Sequence, residues 1–299
     1  MQKHNLSSIK KTVTLILCII PILSFSQAGT DIFLIDMQVK AGKITLSNPV
    51  NITHRKGYDN QPMFAKDKPL LYFTADRDSA ANTDIQIYNY KTQASSFFTT
   101  TPENEYSPTL TPDGKFISCI IQRKSGAQDL GKYPVKGGPA VVLIDQLKVG
   151  YHAWIDNNQL LLFVLDDSAH NSLHYYNLLT KEDKVIAKNP GRSLCKIPGQ
   201  NAMSFIEKSA AKTGMIKRLD LATMQITDIG NTLPGQEYMA WTPNGLMIMS
   251  DGTDLFSSDP ANKSGWQKIS FEQHDPAIRG ITRLAINADQ TKMAIVVKE

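Results

Sequence analysis

Six short stretches of the chain set aromatic, acidic or basic residues just ahead of a turn, and these are its candidate chemistry. They are Tyr58 and Asp59; Glu105 and Tyr106; Tyr151 and His152; Arg192; Glu237 and Tyr238; and Arg279 and Arg283. Aromatic and charged side chains that converge on one opening suit a peptide or a sugar: rings give rigid contact area, and a few polar groups fix orientation. The alternative duty for any one of them is a local hydrogen bond, which is what most polar side chains in a fold do. His152 beside Trp154 reads more simply as a structural histidine. His170 and His174 are four residues apart, a metal spacing only on a helix, and here they straddle a loop and a strand. Asp76-Arg77-Asp78 is too short for a calcium loop. No phosphate-cradling glycine loop, no G-x-S-x-G and no nucleophile–base arrangement is legible. No metal and no cofactor is therefore expected.

The elements that must position these residues follow one template. Tyr106–Ile121 reads as a short strand, a Pro112-Asp113-Gly114 turn and a nearly all-apolar second strand. Proline sets φ at the corner, aspartate bonds its own backbone and glycine takes positive φ. The bulky residue before each such turn is Phe64, Leu110, Trp154, Ile197, Trp241 or Ile286, at spacings of 46, 44, 43, 44 and 45. A fixed period in this range means a repeat architecture. Each repeat reads as four strands, the first two apolar and the outer pair alternating, as in Asp84–Tyr90. This predicts an all-β, six-bladed β-propeller with four antiparallel strands per blade. Asp31–Met37 and Ile44–Ser47 precede the first turn, while Ile281–Ile286 and Met293–Val297 have nothing after them. The last blade is therefore expected to close with two strands from each end of the chain.

Residues 1–26 carry Lys3, Lys10 and Lys11 before the apolar run Val13–Leu23, which is too short to span a bilayer. With Ser24 and Ser26 as small residues, this reads as a Sec signal peptide cleaved before Gln27, or alternatively after Ala28. It places the protein in the periplasm or outside the cell. Residues 27–299 are then a single propeller domain, without a membrane span and expected as a monomer. The formal charge of +4 falls close to neutrality once the three leader lysines are removed, and no basic run remains to hold nucleic acid. Cys119 and Cys195 fall two repeats apart and are expected as buried free thiols.

Ser107-Pro108-Thr109-Leu110-Thr111-Pro112-Asp113-Gly114-Lys115 and its copy Trp241-Thr242-Pro243-Asn244-Gly245 resemble the repeat of TolB-type propellers, the WD-like exported propellers of Gram-negative bacteria. The likeness covers residues 31–299, without the N-terminal α/β domain of TolB. It implies a non-catalytic scaffold that binds an envelope protein, peptide or glycan on its channel face. Register adds Asp76, Arg77, Asp78 and Arg123, in loops after second strands, to that face. The alternative is a propeller enzyme, a lyase, lactonase or hydrolase, with Asp59, Glu105, His152 and Glu237 as its polar site.

Overall fold

The computed structural model describes residues 29–77, 82–168, 170–262, 265–273 and 275–299. The expected signal peptide and its cleavage site, as well as Asp78, lie outside them.

Six sheets form the ring, and each runs from an inner strand at the channel to an outer strand at the rim. Blade 1 holds Asp59–Phe64, Leu70–Asp76, Thr83–Asn89 and Ala94–Phe97; blade 2 holds Asn104–Leu110, Phe116–Gln122, Gln128–Pro134 and Val141–Ile144. Blade 3 holds Val149–Trp154, Gln159–Val164, Ser172–Asn177 and Asp183–Lys188; blade 4 holds Pro190–Lys196, Ala202–Glu207, Met215–Asp220 and Ile226–Asn231. Blade 5 holds Met239–Trp241, Met247–Ser250, Leu255–Ser258 and Gln267–Lys268. Pairing within these five blades is antiparallel throughout.

Blade 6 closes the ring as its sequence halves imply. Leu284–Ile286 and Lys292–Lys298 supply the inner strands, and Thr30–Lys40 and Lys43–Asn51 the outer ones. Thr30–Lys40 pairs with Lys292–Lys298 over seven residues, from Thr30 opposite Lys298 to Asp36 opposite Lys292. One strand was not foreseen: Ser270–Phe271 adds in parallel to the outer edge of blade 6, with Thr45 opposite Ser270. It covers part of an edge that would otherwise offer unpaired backbone groups.

The apolar second strands are explained by their position between neighbouring blades. Lys292–Lys298 sends Ala294 and Val296 into one core with Leu71 and Phe73 of blade 1. Met293, Ile295 and Val297 face the opposite way, into a core with Leu246, Ile248 and Leu255 of blade 5. The turn chemistry repeats as well. Thr111 Oγ1 donates to Asp113 and accepts the Phe116 N–H, and Thr242 does the same with Asn244 and Leu246. Cys119 is buried as expected, whereas Cys195 is only half-buried; both are free thiols.

Candidate functional site

The start of each inner strand points at the central channel, and two features of the sequence aim its side chains there. The first is a bulge. The ladder shifts between Asn60 and Met63 in blade 1 and between Tyr106 and Thr109 in blade 2. Gln61 and Ser107 sit in these bulges with φ of 58° and 56°, conformations that non-glycine residues seldom adopt and that tend to mark functional places. The second is glycine. A β-carbon on Gly191 would lie 2.9 Å from the Ile206 β-carbon, so the backbone carrying Arg192 can approach the second strand only with hydrogen at that position.

The result is one channel residue per blade. Gln61, Ser107, Tyr151, Leu194, Tyr238 and Arg283 each stand three residues before the bulky turn residue of their repeat, and all six line the deeper part of the channel. On the outer side the channel widens into a funnel of about 490 Å³, a size that suits a small ligand. Tyr58 and Tyr106 join its wall and meet edge to face with ring centroids 6.4 Å apart. Gln61, Tyr151, Arg192, Tyr238 and Arg283 border both spaces and form the throat between them.

The throat is a network of arginines and tyrosines. Arg283 donates to the Tyr151 hydroxyl at 2.9 Å, and its guanidinium lies 5.0 Å from the Tyr151 ring centre and 4.6 Å from that of Tyr238. Arg192 donates to the Tyr238 hydroxyl at 3.1 Å and pairs with Glu237 at 3.1 Å; Lys208 reaches the same carboxylate at 3.6 Å. Burial pushes the Tyr58 phenol well up, so it is a neutral hydroxyl at any ordinary pH. The funnel wall thus combines four tyrosines, four cations (Arg192, Lys208, Arg283 and Lys298) and the amides of Asn60, Gln61, Gln122, Gln128 and Asn171.

Not every nominated residue reaches the channel. Asp59 is fully buried and paired with Arg55; burial lifts its carboxyl to about 7 although the arginine opposes this. Glu105 is fully buried, accepting from Thr101 Oγ1 at 2.6 Å and the Tyr133 hydroxyl at 2.9 Å. Burial, reinforced by Asp84, lifts it to about 7 against those hydrogen bonds. His152 abuts the deeper space, but its Nε2 is 2.7 Å from Ser118 Oγ and its ring stands edge-on to Trp154. Burial holds it neutral, with a pKa of about 3. Arg279 is exposed and takes part through its carbonyl, which accepts from the Lys298 amide. Among the loop residues, Asp76 accepts the Tyr58 N–H at 2.8 Å, Arg77 pairs with Asp84 at 2.8 Å and Arg123 with Asp129 at 2.7 Å. These three brace the funnel loops.

Gln61, Ser107, Gln128, Asn171, Lys208 and Lys298 were not nominated from the sequence. Gln61 and Ser107 carried a signal: each precedes a proline at the register position that Tyr151, Tyr238 and Arg283 occupy elsewhere. Gln128 and Asn171 open third strands, whose reach to the channel no local pattern reveals. No group of three or more His, Cys, Asp or Glu side chains placed to hold a metal lies among the described residues. Nor is any described helix long and apolar enough to cross a membrane.

No protein-family model matches the sequence, and no match is found among curated proteins. Solved structures do match. The putative TolB of Agrobacterium tumefaciens superposes with a TM-score of 0.69 at 11% identity, over 91% of this chain and 99% of that one. The fold is that of a TolB-type β-propeller. TolB from Acinetobacter baumannii gives 0.57 at 10% identity over 91% of this chain; the match spans 64% of that protein's length. An oligogalacturonate lyase in complex with manganese gives 0.57 at 10% identity, over 86% of this chain and 83% of the lyase. Structures named as TolB and one named as a lyase thus share this architecture, and a function has to be argued from the site itself.

Proposed function

We propose that this TolB-type propeller is an exported binding module of the cell envelope, periplasmic or secreted, whose funnel takes the end of a peptide or a glycan. The observation that supports it most is the throat, where Tyr151, Tyr238, Arg192 and Arg283 from four blades bond to one another and present rings and cations to a space of small-ligand size. Rings of this kind supply stacking area at low entropic cost, and the surrounding amides can match hydroxyl or peptide groups. The acids that an enzymatic reading would use are committed elsewhere: Asp59 to Arg55, Glu105 to Thr101 and Tyr133, Glu237 to Arg192 and Lys208.

The test is a thermal-shift screen against short peptides and oligosaccharides. At a hundredfold excess over its Kd, a true ligand should raise Tm by roughly 5 °C. The triple variant Tyr151→Ala, Arg192→Ala, Tyr238→Ala should keep its circular-dichroism spectrum and lose the shift. Turnover of a responding ligand would move the protein to the enzyme reading, a lyase, lactonase or hydrolase on the same face. An undiminished shift in the triple variant would place binding elsewhere.

A further inference from the structure

Seven arginines occur in the chain. Arg55, Arg77, Arg123, Arg192 and Arg218 each pair with a carboxylate, and Arg279 is exposed. Arg283 alone is recessed in the throat with no carboxylate partner among the described residues. An arginine cannot shed its proton to relieve this, and its planar fork carries five N–H donors. One of them reaches the Tyr151 hydroxyl, and the rings of Tyr151 and Tyr238 hold the guanidinium from two sides. A charge clamped in place, with most donors unspent and an open funnel in front of it, is prepared for an incoming anion.

Resting on the binding reading above, we propose that Arg283 is the carboxylate receptor of the funnel: the ligand is an organic acid whose carboxylate meets the Arg283 fork while its body lies along Tyr58, Tyr106 and Tyr238. The charges around it agree. Glu237 is shared by Arg192 and Lys208, so the funnel remains positive overall, and Lys298 at its wall adds to the attraction. One unmatched guanidinium balances one negative charge, and its flat fork fits a planar carboxylate in two parallel hydrogen bonds. A phosphate dianion would call for a second unpaired cation in the throat itself.

The experiment uses acids paired with neutral counterparts, and titration calorimetry. D-glucuronate is compared with D-glucose, and N-acetylalanine with N-acetylalaninamide, each on the wild type, Arg283→Gln and Arg283→Lys. Inorganic phosphate is the fifth probe. In at least one pair the acid should bind at least tenfold more tightly than its neutral twin, and the pair that responds tells a sugar acid from a peptide terminus. Arg283→Gln should erase that preference, while Arg283→Lys, which keeps the charge without the fork, should retain part of it. Unliganded Tm and near-ultraviolet circular dichroism establish that the variants are folded; if Arg283→Gln is not, Arg283→Lys carries the comparison. The proposal is overturned by equal binding within both pairs, by a preference that survives Arg283→Gln, or by phosphate binding tighter than either acid. Absence of binding by both acids overturns it as well. Equal binding by acid and neutral twin would leave the binding-module reading standing and remove only the carboxylate.

Discussion

Glu105 and Asp59 occupy one position of the repeat, 46 residues apart, and each meets the residue four places before it, Thr101 and Arg55 respectively. Both acids were legible as repeat equivalents. The surroundings of Glu105 were not, because Tyr133 lies two strands further on and Asp84 belongs to the preceding blade. The raised carboxyl of Glu105 has a consequence for stability. Its pKa is about 7 when folded and near the ordinary 4.5 when unfolded, so across that interval the folded chain holds the extra proton. The stability it contributes is complete below about pH 4.5 and is lost as pH rises through about 7. Glu105→Gln imitates the protonated acid at every pH. The wild type should therefore lose on the order of 2 kcal/mol relative to this variant between pH 5 and pH 8. Urea midpoints at a series of pH values check this, and a constant gap between the two proteins would contradict it. At the same scale, Gly191→Ala should cost roughly 1–3 kcal/mol, because the added carbon meets Ile206 in a packed strand pair.

Neighbouring blades are tied by a recurrent indole–hydroxyl bond. Trp154 Nε1 donates to Ser118 Oγ of blade 2 at 2.8 Å, and Trp241 Nε1 donates to Ser204 Oγ of blade 4 at the same distance. The tryptophans stood out in the sequence as the bulky residues before their turns. The serines did not, because each lies 36 or 37 residues upstream in another sheet, and such partners carry no local pattern. The turns were the opposite case: Thr111 with Asp113 and Thr242 with Asn244 bond within a few residues, and their chemistry could be read directly. Replacing Trp154 by Phe keeps a ring but leaves Ser118 short of a donor in the core, which should cost roughly 1–3 kcal/mol. Trp241, less deeply buried, should lose less on the same change. A double-mutant cycle of Trp154→Phe with Ser118→Ala should return a coupling of roughly 0.5–3 kcal/mol by chemical denaturation. Strict additivity would mean the bond does not staple the blades.

The ring is closed by Thr30–Lys40, and this strand belongs energetically to three blades. Ile32 and Leu34 enter the core shared with Leu71 and Phe73 of blade 1. Phe33, Ile35 and Met37 enter the core shared with Ile248 and Leu255 of blade 5. The period of the repeat and the two unmatched half-blades made this closure legible; the parallel addition of Ser270–Phe271 was not, because two residues are too short to form a pattern. Deleting Thr30–Asn51 would therefore strip apolar contacts from both neighbours of blade 6 and open an edge along Lys292–Lys298. Cooperative unfolding of the whole ring should collapse, instead of a local loss confined to one blade. Cutting the ring elsewhere should be harmless if its closure is what matters. Gly29 and Glu299 are already adjacent, with the Glu299 amide donating to the Gly29 carbonyl. A circular permutant of residues 29–299 that joins these two ends through a short linker and opens at the exposed Asp156-Asn157 turn should melt within a few degrees of the parent. Melting curves of the deletion and the permutant, recorded side by side, decide the matter: a deletion that melts like the parent would mean the ring is not held shut by this strand.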